Sequence, residues 1–388
     1  MVSNPHTGNR PRIVVAGLSG GSGKTIASLG LVRAWALSGK NIKPFKKGPD
    51  YIDAKWLSLA AGVPATNLDP YLLNKPTLQS LFLESSAPYE GALIEGNRGI
   101  FDGKDSAGSY STAALARILN APVLLVMDCT KMTRTAAALV RGIIDFEPDL
   151  AIAGVILNRT ANDRHRKLLR DSIEQYAGIP VLGALPKIKK NPLPERHMGL
   201  ISDQEHATSE KALETVTEII QEHVDVSRVW NIASKASPFE KSSLCQGEAE
   251  KIDAEPGIEH PCDIWAACGP FPPKNQSPVR IGYVHDASLW FYYEENLEAL
   301  RRAGAELIPL SLLKRETWPA LDALYLGGGF PEMLAEQLAE NEPIRNHIRT
   351  EARKGMPIYA ECGGLMYLGS GLVHKENFYP MAGVLPIT

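Results

Sequence analysis

Short runs of apolar residues alternate with longer stretches of helical periodicity through the first half of the chain. Four runs have the length of buried strands, at residues 12–16, 92–95, 122–128 and 151–158. Their near-continuous apolar character is typical of strands that are covered on both faces. The alternation of strands with helices predicts an α/β fold with a doubly wound, mostly parallel sheet.

The hydrophobic pattern changes twice in the second half. A helix is predicted at residues 203–223, and the following segment is rich in Pro, Ser, Lys and Glu, which is typical of a linker. A second βα rhythm then begins, with predicted strands at 281–284, 306–309 and 323–326 and a helix at 292–303. We therefore expect an N-terminal domain at 1–233, a linker at 234–278 and a second α/β domain at 279–388.

Composition narrows the possible partners. The 388 residues are 44% apolar, enough for two cores, and the net charge of -3 gives no electrostatic footprint for nucleic acid or an anionic membrane. The sequence shows neither a bilayer-spanning apolar run nor a signal-peptide core, so a cytoplasmic protein is expected. Five scattered cysteines favour reduced thiols, and His260, Cys262 and Cys268 lack the spacing of a structural zinc site.

A glycine-rich loop follows the first predicted strand and precedes an amphipathic helix at residues 26–38. It has the pattern G-x5-G-K-T, one residue longer than the common phosphate-binding loop, and its glycines are Gly17, Gly20, Gly21 and Gly23. Glycines let backbone N–H groups converge on phosphate oxygens, Lys24 can reach the terminal phosphates, and Thr25 can bind Mg²⁺. The loop predicts an ATP site.

Carboxylates follow two further strands. Asp50 and Asp53 lie in the motif G-P-D-Y-I-D, and Glu95 and Asp102 lie in E-G-N-R-G-I-F-D-G. Loops at the carboxyl edge of a parallel sheet face the ligand crevice, so these residues are candidates for the metal and the reacting centre. Either Lys46 or Lys47, just before the first motif, could neutralise a phosphoryl group or bind a substrate carboxylate, and Lys46 is favoured.

The second half carries a candidate nucleophile. Cys362 follows a short apolar strand and is flanked by small residues, which is typical of a strained turn that exposes a thiolate at a helix N-terminus. The N–H of Gly363 and a second glycine turn that contains Gly328 and Gly329 could stabilise an oxyanion. This arrangement predicts hydrolysis of glutamine through a thioester.

These motifs closely resemble those of the cobyrinic acid a,c-diamide synthases over nearly the whole chain, including residues 154–159, 194–200 and 327–332. That family fuses a dethiobiotin-synthetase-like ATP domain to a class I glutamine amidotransferase domain with a flavodoxin-like fold. The resemblance implies an ATP- and Mg²⁺-dependent ligase that phosphorylates a tetrapyrrole carboxylate, cobyrinate in the first instance, and replaces the phosphate with ammonia from glutamine.

The resemblance also implies roles for individual residues. Thr25, Asp53 and Glu95 would bind Mg²⁺, Asp50 and Asp102 would act beside them, Lys46, Tyr51 and Ile52 would orient the substrate, and Asn158 would bind the nucleotide base. Asn97 and Arg98 stand where typical members have Val and Met, and Ala54 replaces a proline. Sirohaem, nickel-sirohydrochlorin and hydrogenobyrinate are therefore alternative substrates.

Alternatives of other classes are a partitioning-type ATPase, whose signature lysine would replace Ser19, and a relative without glutaminase activity. The family's general-base histidine lies well beyond the cysteine, whereas His374 is the one histidine after Cys362 and has a different context. We therefore expect that the second domain is incomplete at its C-terminus. The sequence leaves a homodimer open.

Overall fold

The computed structural model describes residues 10–188, 192–193, 203–238 and 278–388, with side chains of the third segment described from residue 209. These residues form two compact units, one containing most of residues 10–238 and the other residues 278–388. The motif at 194–200, most of the expected linker and the cluster of His260, Cys262 and Cys268 lie outside the described residues. No helix in the described part of the chain is long and apolar enough to cross a membrane.

The first unit is built on a seven-stranded sheet in which all neighbouring strands are parallel. Its strands are β1 (Arg12–Gly17), β2 (Ile42–Lys47), β3 (Thr66–Leu68), β4 (Gly91–Glu95), β5 (Val123–Asp128), β6 (Ile152–Thr160) and β7 (Val181–Pro186). The spatial order is β3-β2-β4-β1-β5-β6-β7, which confirms the predicted doubly wound parallel sheet.

The helices of the first unit connect the strands and cover the sheet. They are α1 (Lys24–Leu37), α2 (Tyr51–Ala61), α3 (Lys75–Ser86), α4 (Thr112–Ile118), α5 (Thr135–Phe146), α6 (Asp163–Ala177), α7 (Asp203–His223) and α8 (Val226–Ala233). The bounds of α7 agree with the sequence prediction. Asp50 starts α2 by accepting a hydrogen bond from Asp53 N, and Ser111 starts α4 in the same way through Ala114 N.

The register of the sheet decides which residues meet at its carboxyl edge. Val15 of β1 pairs with Glu95 of β4, and Lys46 of β2 pairs with the same glutamate from the other side. Neighbouring strands lie about 5 Å apart, so the loops that follow β1, β4 and β2 form one continuous rim. The predicted phosphate loop and carboxylate motifs therefore share this rim.

The second unit contains a smaller parallel sheet in the order β10-β8-β11-β13. The strands of this unit are β8 (Arg280–Val284), β9 (Leu289–Phe291), β10 (Glu306–Leu310), β11 (Ala323–Leu326), β12 (Gly328–Gly329), β13 (Ile358–Ala360), β14 (Gly371–His374) and β15 (Asn377–Pro380). Strands β9 and β12 form a separate antiparallel pair, and β14 and β15 form a hairpin. Its helices are α9 (Glu294–Arg302), α10 (Ala335–Glu340), α11 (Glu342–Arg353) and α12 (Gly363–Leu368). The second α/β domain is confirmed, and its first helix begins two residues later than predicted.

A pair of helix glycines tests the packing of the first unit. Alanine normally stabilises a helix interior by about 1 kcal/mol relative to glycine. At Gly30 of α1, however, a Cβ atom would lie 2.2 Å from Ile220 Cγ1 of α7. At Gly142 of α5, no described residue outside the local helix backbone would lie within 4 Å of a Cβ. We expect Gly142→Ala to raise the free energy of unfolding and Gly30→Ala to lower it by about 1–3 kcal/mol, measured by urea denaturation. Equal stabilisation by both would contradict the close contact of α1 with α7.

Candidate active site

The loop between β1 and α1 needs glycine at two positions for steric reasons. A Cβ atom on Gly17 would lie 2.1 Å from Ser22 Oγ. Gly23 has a φ of +100°, and its Cβ would lie 2.2 Å from the side-chain nitrogen of Asn158. The backbone can therefore fold tightly against β6 only because these side chains are absent.

Lys24 turns back over this loop. Its ammonium donates hydrogen bonds to the carbonyl oxygens of Ser19, at 2.9 Å, and Arg98, at 2.8 Å. Gly20 and Gly21 line the same turn, and apart from their chain neighbours no described residue lies within 4 Å of their Cβ positions. Burial lowers the pKa of Lys24, although nearby carboxylates oppose the shift. The loop can cradle phosphate oxygens beside a lysine cation.

Four predicted site residues meet beside the loop. Thr25, in the first turn of α1, donates to Glu95 Oε1 at 2.8 Å. The ammonium of Lys46, at the end of β2, lies 3.1 Å from the same oxygen and 2.5 Å from Asp53 Oδ2 of α2. One lysine thus joins carboxylates from two different elements.

The charges of this cluster favour an additional cation. Burial opposes the charge on Lys46, but Glu95 and Asp53 outweigh it and raise the pKa of this lysine. Burial raises the pKa of Glu95, and Asp53 adds to the shift while Lys46 and Thr25 reduce it. Two carboxylates therefore share one ammonium in a region of low dielectric constant.

The oxygen ligands of this cluster suit Mg²⁺, which keeps water and phosphate ligands. They suit it better than a metal ion whose ligands all come from the protein. Glu95 is fully buried, and its Oε2 has no hydrogen-bond partner among the residues that the structure describes. No group of three or more His, Cys, Asp or Glu residues in the described part of the chain could hold a metal. Mg²⁺ commonly uses one or two carboxylates and completes its shell with water and nucleotide phosphates. Glu95, Asp53 and Thr25 could supply such a partial shell.

Asp50 and Asp102 have local structural partners. Asp50 Oδ1 accepts from Asp53 N at 3.0 Å, and Asp102 Oδ2 accepts from Gly99 N at 2.9 Å. Asp50 thus stabilises the first turn of α2, which carries Asp53, and Asp102 stabilises the loop that follows Glu95. Tyr51 and Ile52, the first two residues of α2, are half-buried beside them. The roles predicted for these residues in the reaction stay predictions.

Two anchors of these loops were missed from the sequence. Asn67, at the centre of β3, donates to the carbonyl oxygens of Gly48, at 2.7 Å, and Asp50, at 3.1 Å. Thr112 exchanges hydrogen bonds with the backbone of Asn97, which fixes the loop after Glu95. Each of them follows another polar residue, Thr66 or Ser111, so the sequence alone did not single it out.

Asn158 lies at the phosphate loop in the structure. Its side-chain nitrogen donates to Ser22 O at 2.9 Å, its oxygen accepts from Arg159 N at 2.8 Å, and it is buried. These contacts tie the end of β6 to the loop after β1. Recognition of the nucleotide base by this amide stays a prediction.

Cys362 occupies a strained turn in the second unit. It stands between β13 and α12 with φ 45° and ψ -112°, a conformation that L-residues rarely adopt. The residue is exposed, and its carbonyl oxygen accepts from Met366 N at 3.1 Å as α12 begins. This geometry is that of a strand-to-helix turn that presents a nucleophile.

The glycines expected around Cys362 are brought together. A Cβ on Gly328 would lie 3.4 Å from the Cβ of Cys362, and a Cβ on Gly363 would lie 3.0 Å from Gly329 N. At Gly329 itself, a Cβ would lie 2.1 Å from the carbonyl oxygen of Ser288. The two backbone turns can approach the cysteine only because they lack side chains. Their use as an oxyanion site stays a prediction.

Tyr292 is a further supporting residue that sequence reasoning missed. Its hydroxyl accepts from Gly327 N at 2.8 Å and donates to Tyr325 O at 3.3 Å, which fixes the start of the glycine turn. Burial raises the pKa of this phenol, so it remains a neutral donor. His374 ends β14, where it pairs with Asn377 of β15.

Comparisons with known proteins agree with both units. Residues 13–201 match the CobQ/CobB/MinD/ParA nucleotide binding domain, and residues 280–388 match the CobB/CobQ-like glutamine amidotransferase domain. The chain is 41% identical to the cobyrinate a,c-diamide synthase of Magnetococcus marinus over 97% of this chain and 77% of that protein. The enzyme of the same name from Archaeoglobus fulgidus is 39% identical over 97% of this chain and 77% of that protein. The one from Listeria monocytogenes is 40% identical over 96% of this chain and 77% of that protein. Since this similarity extends over both units, the chain belongs to the cobyrinate a,c-diamide synthase family of glutamine-dependent ligases.

Proposed function

We propose that this chain uses ATP and glutamine to convert the a and c acetate carboxylates of cobyrinate into amides. Family membership supports the reaction class, and the cluster of Thr25, Lys46, Asp53 and Glu95 carries the assignment of the synthetase site. Its most informative feature is the unpartnered, buried Oε2 of Glu95, which suits a magnesium-bound nucleotide.

The first step is transfer of the γ-phosphoryl group. A carboxylate oxygen of the substrate forms a bond to the γ-phosphorus while the bond between that phosphorus and the β–γ bridging oxygen breaks, giving an acyl phosphate and ADP. Lys24 and Lys46 supply positive charge close to the transferred group. Bound Mg²⁺ would neutralise charge on the phosphates, and Tyr51 and Ile52 would orient the carboxylate.

The second step uses ammonia. The thiolate of Cys362 attacks the side-chain carbonyl carbon of glutamine and the C–N bond breaks, so a thioester forms and ammonia leaves with one proton taken from solvent. Water then hydrolyses the thioester, which releases glutamate and regenerates the thiolate, with two protons lost to solvent. The N–H groups near Gly328, Gly329 and Gly363 would stabilise the oxyanion. Ammonia attacks the acyl phosphate, the C–O bond breaks, and phosphate departs with one proton lost to solvent.

Another tetrapyrrole is the second candidate substrate. Arg98, which replaces an apolar residue of typical members, is exposed at the rim beside Glu95 and has a left-handed backbone with φ 49°. Its charge would suit a substrate with a different set of acetate groups, such as hydrogenobyrinate, sirohaem or nickel-sirohydrochlorin. A partitioning ATPase is disfavoured because residues 280–388 match an amidotransferase and Ser19 stands at the signature lysine position.

A substrate panel tests the proposal directly. The chain, ATP, Mg²⁺ and ammonium would be incubated with cobyrinate, hydrogenobyrinate, sirohydrochlorin and sirohaem, and products would be identified by mass spectrometry. We expect cobyrinate to gain two amides at the highest kcat/KM. Amidation of another tetrapyrrole of the panel, without amidation of cobyrinate, would favour that tetrapyrrole as the substrate. ATP hydrolysis without any amide product would contradict the ligase assignment for all four compounds.

Replacement of Glu95 by glutamine tests the proposed metal role. Glu95→Gln keeps the shape of the side chain but removes the charge, so kcat should fall by about 10²- to 10³-fold and the Mg²⁺ requirement for nucleotide binding should rise. Titration of a fluorescent ATP analogue with Mg²⁺ measures the second effect. Glu90→Gln is the control, because Glu90 precedes the opposite end of β4 and accepts from Asn41 N. An unchanged Mg²⁺ dependence in Glu95→Gln would remove this residue from the metal site.

Replacement of Cys362 by serine tests whether this residue acts only in the release of ammonia from glutamine. Cys362→Ser should reduce glutamine-dependent amidation to background and leave ammonium-dependent amidation unchanged, because the thiolate acts only in ammonia release. An electrophilic glutamine analogue should label Cys362, as judged by peptide mapping. Cys129 is the internal control, since burial raises its pKa to about 12. Loss of ammonium-dependent synthesis would show that the substitution damages more than the glutaminase.

A further inference from the structure

The two adjacent lysines at the end of β2 have different environments. Lys46 is 2% exposed and is paired with two carboxylates. Lys47 is 9% exposed, yet among the described residues no hydrogen bond or ion pair joins its ammonium to another group. Lys43 of the same strand is also buried, but it donates to Pro64 O at 2.6 Å. The Nζ atom of Lys47 is not among the fully buried atoms that lack a partner, so the stem of this lysine is buried while its ammonium reaches the surface, where a ligand could contact it.

The position of Lys47 separates it from the expected nucleotide phosphates. Lys47 pairs in register with Leu68 of β3, and the phosphate loop follows β1. Strand β4 lies between β2 and β1, so the ends of β2 and β1 are about 10 Å apart. The following loop is held by the hydrogen bond from Asn67 to Gly48 O. Lys47 therefore borders the rim on the side away from the loop that would bind phosphate.

Two cations at this edge of the sheet, Lys47 and Arg98, form no ion pair with another described residue. Burial lowers the pKa of Lys47, Lys46 and Arg98 lower it further, and Asp69 opposes the shift. Asp69 accepts a hydrogen bond from Tyr71 N at 2.8 Å and forms no ion pair with Lys47. Arg98 is exposed, and its guanidinium has no ion pair with another described residue. An anion beside Lys47 and Arg98 would reduce their repulsion and accept their hydrogen bonds.

We propose that Lys47 and Arg98 bind a second carboxylate of the substrate, one that does not react, while the first is activated beside Lys46 and Glu95. This inference rests on the proposed function, because a tetrapyrrole with several carboxylate arms supplies both groups at once. The second contact would fix which arm reaches the γ-phosphoryl group. Lys47 is then a substrate-binding and specificity residue, distinct from the lysine that organises the carboxylate cluster.

Substitution of Lys47 separates this role from nucleotide binding. In ammonium-fed assays, Lys47→Met should raise KM for cobyrinate about 10- to 100-fold, while kcat and KM for MgATP change little. Lys47→Arg should restore most of the affinity because it keeps a cation. Lys43→Met is the matched control for loss of a buried lysine from β2 and should leave KM for cobyrinate unchanged. The melting temperature of each variant would be recorded. If that of Lys47→Met is much lower than that of the unaltered chain, Lys47→Gln would be used in its place.

Measurements of substrate binding at equilibrium test the role of Lys47 separately from the proposed reaction, because they need no turnover. Dissociation constants for cobyrinate, hydrogenobyrinate and sirohydrochlorin would be measured by absorbance titration without ATP. Weaker binding of any of them to Lys47→Met supports the inference even if cobyrinate is not the compound amidated. An unchanged dissociation constant for every compound that binds, or an increase confined to KM for MgATP, would overturn it. Failure of the unaltered chain to bind any of the three would overturn both proposals.

Discussion

The first unit depends on one buried charge, the ammonium of Lys46. A lysine that is 2% exposed is stable as a cation only with close anionic partners, and Glu95 and Asp53 provide them at 3.1 and 2.5 Å. Because those partners come from β4 and α2, the pairing fixes the relative positions of three elements. Thr25 joins the same glutamate from α1. The requirement to neutralise one lysine thus assembles the residues that a magnesium nucleotide would need.

The second unit depends on backbone geometry more than on charge. Cys362 has φ 45°, and the glycine turn beside it approaches so closely that any Cβ at Gly329 or Gly363 would overlap a neighbouring backbone atom or proline. Strain at a nucleophile is tolerated when the surrounding packing fixes the turn. Here β13, α12 and the hydrogen bond from Gly327 N to Tyr292 provide that support. The thiol of Cys362 then stands at a helix start, and the glycine turn at Gly328 lies close to it.

The sequence predicted the two α/β units because both depend on local patterns. Apolar runs such as that of β5 and glycine spacing such as that of the phosphate loop are read directly along the chain. The pairing of Lys46 with Glu95 was not predictable in this way, since it depends on the register between strands that are 49 residues apart. The partners of Asn158 and the anchoring by Asn67 are likewise long-range hydrogen bonds. Sequence motifs and family resemblance predicted residues for the site, whereas only the fold showed which of these residues contact one another.

The comparison of Lys46 with Lys47 shows how neighbouring identical residues acquire different roles. Successive side chains of a strand point to opposite faces, so at the end of β2 one lysine meets Glu95 and Asp53 while the next meets the region of Asp69 and Arg98. The first cation is paired with two carboxylates of the protein, so it positions them as well as placing charge beside the proposed site of phosphoryl transfer. The second retains its donors and can satisfy them only with a group from outside the described residues. If the substrate carries several carboxylates, as we propose, the paired lysine would organise the reacting centre and the lysine without an ion pair would select the substrate.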